Sequence, residues 1–456
     1  MVKNLKIYCA LFLCFCFITI GESSEVEEVF HWKEVIFEDL PFADDTLIGP
    51  YPYNIPSSND VQGINYHAAS GLMIATVGRL RPGVPSNLNA FCTSDYDEGT
   101  SPHLWGFPNY ARNTLKASFY NQGRRLNSLR KNYYPSYFNH IYADYIREHD
   151  YTIVSVYYPH IDERCNRLFV LDTGYLHYSP TQNYDVQNPA LLVYDLPLNG
   201  CRSRNFPLIR RVEIPNHLWT FKMGLDFISF DYQPKGSCED LIVYISNVLD
   251  NSLVVYDYKR GDFWTFADES MKPILSESIL FFKTFTYFIP LGITNVVLGY
   301  PDKNGDRNLY YSPGSSVTEY IVSTKLLKDK KASYKYNRED FTLIGYRGCG
   351  SEAYRQVFDP ETGVIFFGES NSHRISCWNT RLPFNPDTIG VVFESDLLLF
   401  PSELFLDSEG FLWFLTNQLP LMFNSADILD TTEINSRLFR VKASEAVKGT
   451  ICDNLY

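Results

Sequence analysis

Asp172, Asn247, Asn371 and Asn417 each stand at or just past the end of an apolar, β-rich run, with Glu369 beside the third of them. Carboxylate and amide oxygens at equivalent strand ends could converge on a hard cation such as Ca²⁺ and support a metal-assisted hydrolase. Asp and Asn also end strands because their side chains bond their own backbone in turns, so the pattern has two readings. Nucleophile signatures are poor. Gly368-Glu369-Ser370-Asn371-Ser372 begins like a nucleophile elbow but lacks the closing glycine and has no helix after it. Gly348-Cys349-Gly350-Ser351 could expose a thiol, although a disulfide or a buried cysteine fits the same residues. His67, His160, His217 and His373 are scattered, with no zinc-like spacing.

The elements that must position these residues recur along the chain. An apolar strand, a turn rich in Asp, Pro or Gly, and a run of aromatic and branched residues repeat as β-hairpins. Examples are Arg355 to Glu369 around Asp359-Pro-Glu-Thr-Gly363, and Glu403 to Asn417 around Asp407-Ser-Glu-Gly410. The second hairpin strands centre near residues 74, 169, 243, 310, 366 and 413, making six units. Most are followed by a third strand, such as Leu191 to Asp195, Leu253 to Asp257 or Arg437 to Val441. Six such hairpins in an uninterrupted series predict an all-β, six-bladed β-propeller rather than a sandwich, because radial closure leaves only short edges. The widest spacing holds a polar insertion at about 93–147.

Composition agrees with this architecture. The 456 residues are 45% hydrophobic and 20% charged, with 33 Tyr and 33 Phe, which favours sheet. A formal net charge of −13 argues against nucleic acid as a partner. Lys3 and Lys6, the apolar run Ile7 to Ile20 and the small or polar Gly21 to Ser24 have the order of a secretory signal. The run is short of the roughly 20 residues that span a bilayer. The expected layout is therefore a signal peptide at 1–22, then a single propeller domain at 23–456 that is secreted and not membrane-bound. Three of the ten cysteines lie in the leader, leaving Cys92, Cys165, Cys201, Cys238, Cys349, Cys377 and Cys452, an odd number. Cys165 and Cys238 lie in corresponding turns of adjacent units, and Cys452 near the C-terminus needs a partner in a body strand, for which Cys377 is suited. Both pairs are expected to close the propeller by disulfides, although spacing does not dictate connectivity.

The stretch Cys165-Asn-Arg-Leu-Phe-Val-Leu-Asp-Thr-Gly174 resembles the C-x-R-L-W-V-L-D-x-G signature of the insect yellow / major royal jelly protein family. Gly83 to Leu88, Cys238 to Ser246, Leu309 to Pro313, Cys377-Trp378, Phe400-Pro-Ser402 and Leu412 to Asn417 match further motifs in family order. The resemblance spans roughly residues 30–455 and implies a secreted six-bladed propeller. Its departures are Phe169 in place of the signature Trp, and the absence of the usual Asn-Cys near Asp150-Tyr151. The latter implies a missing or rewired family disulfide, with Cys92, Cys201 and Cys349 left over.

Family members are linked to cuticle and eggshell pigmentation or hardening, to royal jelly nutrition and to biogenic amine scavenging. The resemblance thus implies binding of a small aromatic or catecholamine-type ligand, with extracellular matrix proteins as a second partner class and no cofactor. Carried onto this chain, the amine-contacting positions are Ser402, Asn417 and Leu419, the last replacing an aromatic. Catalytic residues are not implied. The alternative is an enzyme, either a dopachrome-converting isomerase or tautomerase or a metal-dependent propeller hydrolase using Asp172, Asn247, Glu369 and Asn371.

Overall fold

The computed structural model describes residues 26–122, 151–179, 182–423 and 428–453. The expected signal peptide at 1–22 and part of the 93–147 stretch lie outside these residues. Six four-stranded antiparallel sheets form the body. Their innermost strands are Val61–His67, Val156–Asp162, Leu225–Tyr232, Ile293–Pro301, Ala353–Asp359 and Pro401–Leu406. Each innermost strand touches the innermost strands of the blades before and after it, and the sixth touches the first. That ring is a six-bladed β-propeller.

The second strands, such as Leu72–Val77 and Val364–Glu369, are buried along their whole length. They read as unbroken apolar runs because each blade is covered on both faces by its neighbours. The core is accordingly divided. One hydrophobic cluster fills each of the six seams, as where Ile74 and Leu88 of blade one meet Leu168 and Val170 of blade two. Tight turns join the hairpins, and Gly363 and Gly410 take positive φ there (77° and 80°), a conformation open to glycine at little cost.

Blade six combines both ends of the chain. Its strands Pro401–Leu406, Phe411–Thr416 and Ser436–Lys442 are completed by Glu27–Trp32, which pairs with Ser436–Lys442. The hairpin count missed this N-terminal strand, which closes the ring by backbone hydrogen bonds. Disulfides reinforce it: Cys377–Cys452 ties the C-terminal segment to blade five, and Cys165–Cys238 links blades two and three, both as expected. The cysteines left unassigned resolve into a third bridge, Cys92–Cys201, and an exposed free Cys349. From the 93–147 stretch, Trp105–Gly106 supplies the fourth strand of blade one.

Candidate functional site

All six innermost strands are irregular at the same place. The register with the neighbouring strand shifts between Val61 and Gly63, Val156 and Pro159, Leu225 and Ile228, Ile293 and Asn295, Ala353 and Arg355, and Pro401 and Glu403. A bulge leaves its extra residue out of the ladder and re-aims the side chain. The re-aimed residues are Gln62, Tyr157 and Tyr158, Asp226, Thr294, Tyr354 and Ser402, one or two from every blade. All of them line one cavity of about 530 Å³. Room for the first bulge depends on Gly63, since a Cβ there would lie 2.7 Å from the Tyr157 carbonyl oxygen of blade two.

The cavity sits where the six strands converge, at one end of the propeller axis. Its walls are aromatic and aliphatic, with Tyr157, Tyr158, Tyr354 and Phe400 deep inside. Leu249, Phe288 and Phe423 are exposed and form the rim. Phe288 comes from a hairpin, Ile279–Phe282 with Phe285–Phe288, that stands outside the six blades.

The charged lining residues are Asp226 and Arg355. Arg355 Nη1 is 3.1 Å from Asp226 and 2.8 Å from the Tyr354 carbonyl oxygen, to which it donates, and its guanidinium lies 4.0 Å over the Tyr158 ring. Burial pushes the Asp226 carboxyl up, and the arginine opposes that. Glu403, buried beside Ser402, is raised to about 8 by burial, with Arg355 pulling it down and the Asp226 charge pushing it further up. His160 is lowered to about 3 by burial and by Arg355, so its ring is neutral. Burial also lifts Tyr158 to about 12 and raises Tyr157 and Tyr354, keeping these phenols protonated.

The profile of the family described as "Major royal jelly protein" matches residues 154–452. This chain belongs to the yellow / major royal jelly protein family. It is 34% identical over 431 residues to "Yellow-related salivary protein SP03" of Phlebotomus perniciosus, covering 94% of both chains. Identity to "Yellow-related salivary protein ASP2" of Phlebotomus orientalis is 32%, over 97% of this chain and 99% of the relative. Identity to "L-dopachrome tautomerase yellow-f" of Drosophila melanogaster is 30%, over 88% of this chain and 83% of that one.

In this yellow-family propeller, Ser402 and Leu419 are on the cavity wall, while Asn417 is buried behind it. The Asn417 amide donates to the Val61 carbonyl oxygen (2.9 Å) and to Ser402 Oγ (2.8 Å), and Ser402 Oγ donates to the Gln62 carbonyl oxygen (3.0 Å). These two residues therefore sew blade six to blade one, and the serine hydroxyl keeps one acceptor lone pair. Leu419 opens a one-turn helix, Leu419–Met422, its amide held by Asn417 Oδ1.

The strand-end oxygens proposed for a cation, Asn417 included, are spread over four blades in separate hydrogen-bond networks. Asp172 accepts from the amides of Val154, Ser155 and Gly174. Asn247 donates to Asp250, and Asn371 bridges Ile279, Phe281 and Glu352. Glu369 is held by Arg374 and Ser376. Among the described residues, no three His, Cys, Asp or Glu side chains gather as a ligand set. Sequence reasoning missed Gln62, Asp226, Arg355 and Glu403. The available signal was a polar or charged residue at the start of otherwise apolar first hairpin strands.

Proposed function

We propose that this protein is a secreted binder of a small, flat aromatic molecule bearing hydroxyl or amine groups, of the catechol or indole class. The observation that carries the reading is the bulge-built axial cavity, lined mostly by aromatic and aliphatic side chains with a few polar groups among them. Such a shape suits a ligand that buries a ring and orients it by a few hydrogen bonds. Ring contacts with Tyr158, Tyr354, Phe400 and Phe288 contribute about 1 kcal/mol each beyond area burial. Ser402 offers an acceptor, and the Asp226 carboxylate on the wall favours a cationic amine. A role in cuticle or eggshell pigmentation or hardening is compatible with holding catechols. The salivary relatives named above and the signal-like leader support secretion.

Titration calorimetry with dopamine and serotonin tests the reading. Binding in the micromolar range, about −8 kcal/mol, is expected, weaker by about 1 kcal/mol in Phe288→Ala. Phe288 is an exposed rim residue, so the variant should keep its melting temperature. Absence of heat with both ligands up to millimolar concentration would remove the reading.

A second reading has one observation in its favour. Asp226 on the cavity wall and Glu403, the buried residue next to the wall residue Ser402, are carboxyls whose pKa is raised by burial, the kind of group that moves protons between carbon and oxygen. The likeness to yellow-f makes dopachrome the substrate to try. Turnover abolished by Glu403→Gln would establish an enzyme; conversion at the spontaneous rate would leave the binding protein.

A further inference from the structure

A second cavity, of about 420 Å³, lies between the outer strands of blades one and two, away from the axis. One wall comes from Pro108, Asn109 and Arg112, just past Trp105–Gly106; the other comes from the stretch around the outermost strand of blade two, Leu208–Glu213. That strand is bulged: Val193 pairs with Arg210 but Tyr194 pairs with Leu208, so Ile209 drops out of the ladder. Arg210 and Arg211 then point to opposite sides. Arg210 turns toward blade three, its guanidinium 3.6 Å from the centre of the Tyr258 ring and its Nη2 3.3 Å from Glu239. Arg211 turns toward blade one, where its charge and that of Arg112 both reach the buried Tyr151 phenol. Arg112 covers the Tyr151 ring at 4.6 Å and donates from Nη1 to the Tyr151 carbonyl oxygen at 3.1 Å. Arg204, more exposed, lies 4.9 Å over the Trp105 ring.

Arg112, Arg204 and Arg211 thus line one concave space, and none of the described residues lining it is acidic, in a chain whose net charge is −13. Their carboxylate neighbours stand outside the lining: Glu38 is 3.7 Å from Arg204 and Glu213 is 3.3 Å from Arg211, both partly exposed. Ion pairs of that kind hold little energy in water and yield to a stronger acceptor. The geometry points to a binding site for a small organic phosphate, with its phosphoryl oxygens taken by these three arginines and its organic part lying on Tyr151, Phe206 and Leu208. Guanidinium forks match phosphate oxygens two at a time. A phosphate monoester carries about −1.5 to −2 charge at pH 7 on three acceptor oxygens, enough for three arginines to share. Phe206 and Tyr151 are buried and Leu208 is half-buried, so part of the lining is apolar. The arginines line a recess between two blades rather than a row along the surface, which favours a small molecule over a polyanionic chain. No residue of this site belongs to the axial cavity, so the two stand or fall separately.

Calorimetry with adenosine monophosphate, adenosine and inorganic phosphate on the full-length protein tests the site. Adenosine monophosphate should bind with a dissociation constant below about 1 mM. Adenosine, which lacks the charge, and inorganic phosphate, which lacks the apolar contacts, should each bind at least about tenfold more weakly. Arg204→Ala and Arg211→Ala should each weaken the nucleotide by about tenfold. Arg204 is exposed, so its variant should keep the wild-type melting temperature; should Arg211→Ala not fold, Arg204→Ala decides. Phe288→Ala, at the rim of the axial cavity, should bind the nucleotide as the wild type does. A loss in that variant would place the phosphate in the axial cavity and overturn the site. No heat with adenosine monophosphate up to millimolar concentration, affinity unchanged in Arg204→Ala, or equal affinity for inorganic phosphate would each overturn it as well. Binding of heparin without binding of the nucleotide would make the arginines a polyanion surface, against the small-ligand site.

Discussion

Glu403 shows how a buried carboxyl links the site to stability. Its pKa rises from an ordinary glutamate value to about 8 on folding, mainly because burial disfavours the charge. The folded protein then holds more protons than the unfolded chain between about pH 4.5 and 8, so stability falls as pH rises through that window. Asp60 and Glu319, each raised to about 7 chiefly by burial, act in the same direction up to neutrality. The melting temperature should therefore drop between pH 5 and 8.5, and Glu403→Gln should lessen the drop by holding that site neutral throughout. Scanning calorimetry across this range checks it; an unchanged slope in the variant would mean that Glu403 is ionised in the folded state at neutral pH.

At the scale of elements, the first turn of each innermost strand and the N-terminal strand matter most. Six bulges turn an ordinary propeller rim into a lined cavity while the rest of each strand keeps its ladder. Closure rests on Glu27–Trp32, where Trp32 is 1% exposed. Its ring meets Phe30 and Phe91, and its indole N–H donates to the Pro102 carbonyl oxygen at 2.9 Å. Trp32→Ala removes a buried aromatic and leaves that carbonyl oxygen unmatched, so it should destabilise by about 3–5 kcal/mol. Urea unfolding followed by tyrosine and tryptophan fluorescence measures it, and a loss below about 1 kcal/mol would show that the last blade holds without this strand.

For the whole molecule, three disulfides lie at or across seams: blades one to two, two to three, and blade five to the C-terminal segment. Alkylation of the native protein without reduction should label Cys349 alone among the described cysteines, and peptide mapping should recover Cys92–Cys201, Cys165–Cys238 and Cys377–Cys452. Labelling of Cys92 or Cys201 would contradict the bridge between blades one and two. Cys452→Ser opens a loop of 75 residues and should lower stability by about 2–5 kcal/mol through the unfolded chain's regained freedom. An unchanged unfolding midpoint would show that the N-terminal strand alone secures the ring.

The hairpin series determined the six blades, because each apolar run, turn and aromatic run is a local pattern that only a sheet buried on both faces explains. The turns holding Cys165 and Cys238, and the near-terminal place of Cys452, marked two of the bridges for the same local reason. Ser402 and Leu419 were legible through motif resemblance, and the structure puts both on the cavity wall. Tertiary structure alone decided the rest. Glu27–Trp32 joins blade six through pairing with residues some four hundred positions away, which no local pattern records. Cys92 meets Cys201 because blades one and two pack together across the polar stretch between them. Gln62, Asp226, Tyr354 and Ser402 line one cavity only because bulges in separate blades aim side chains at a common axis. A bulge is a change of register between two strands, so it belongs to their pairing rather than to either segment.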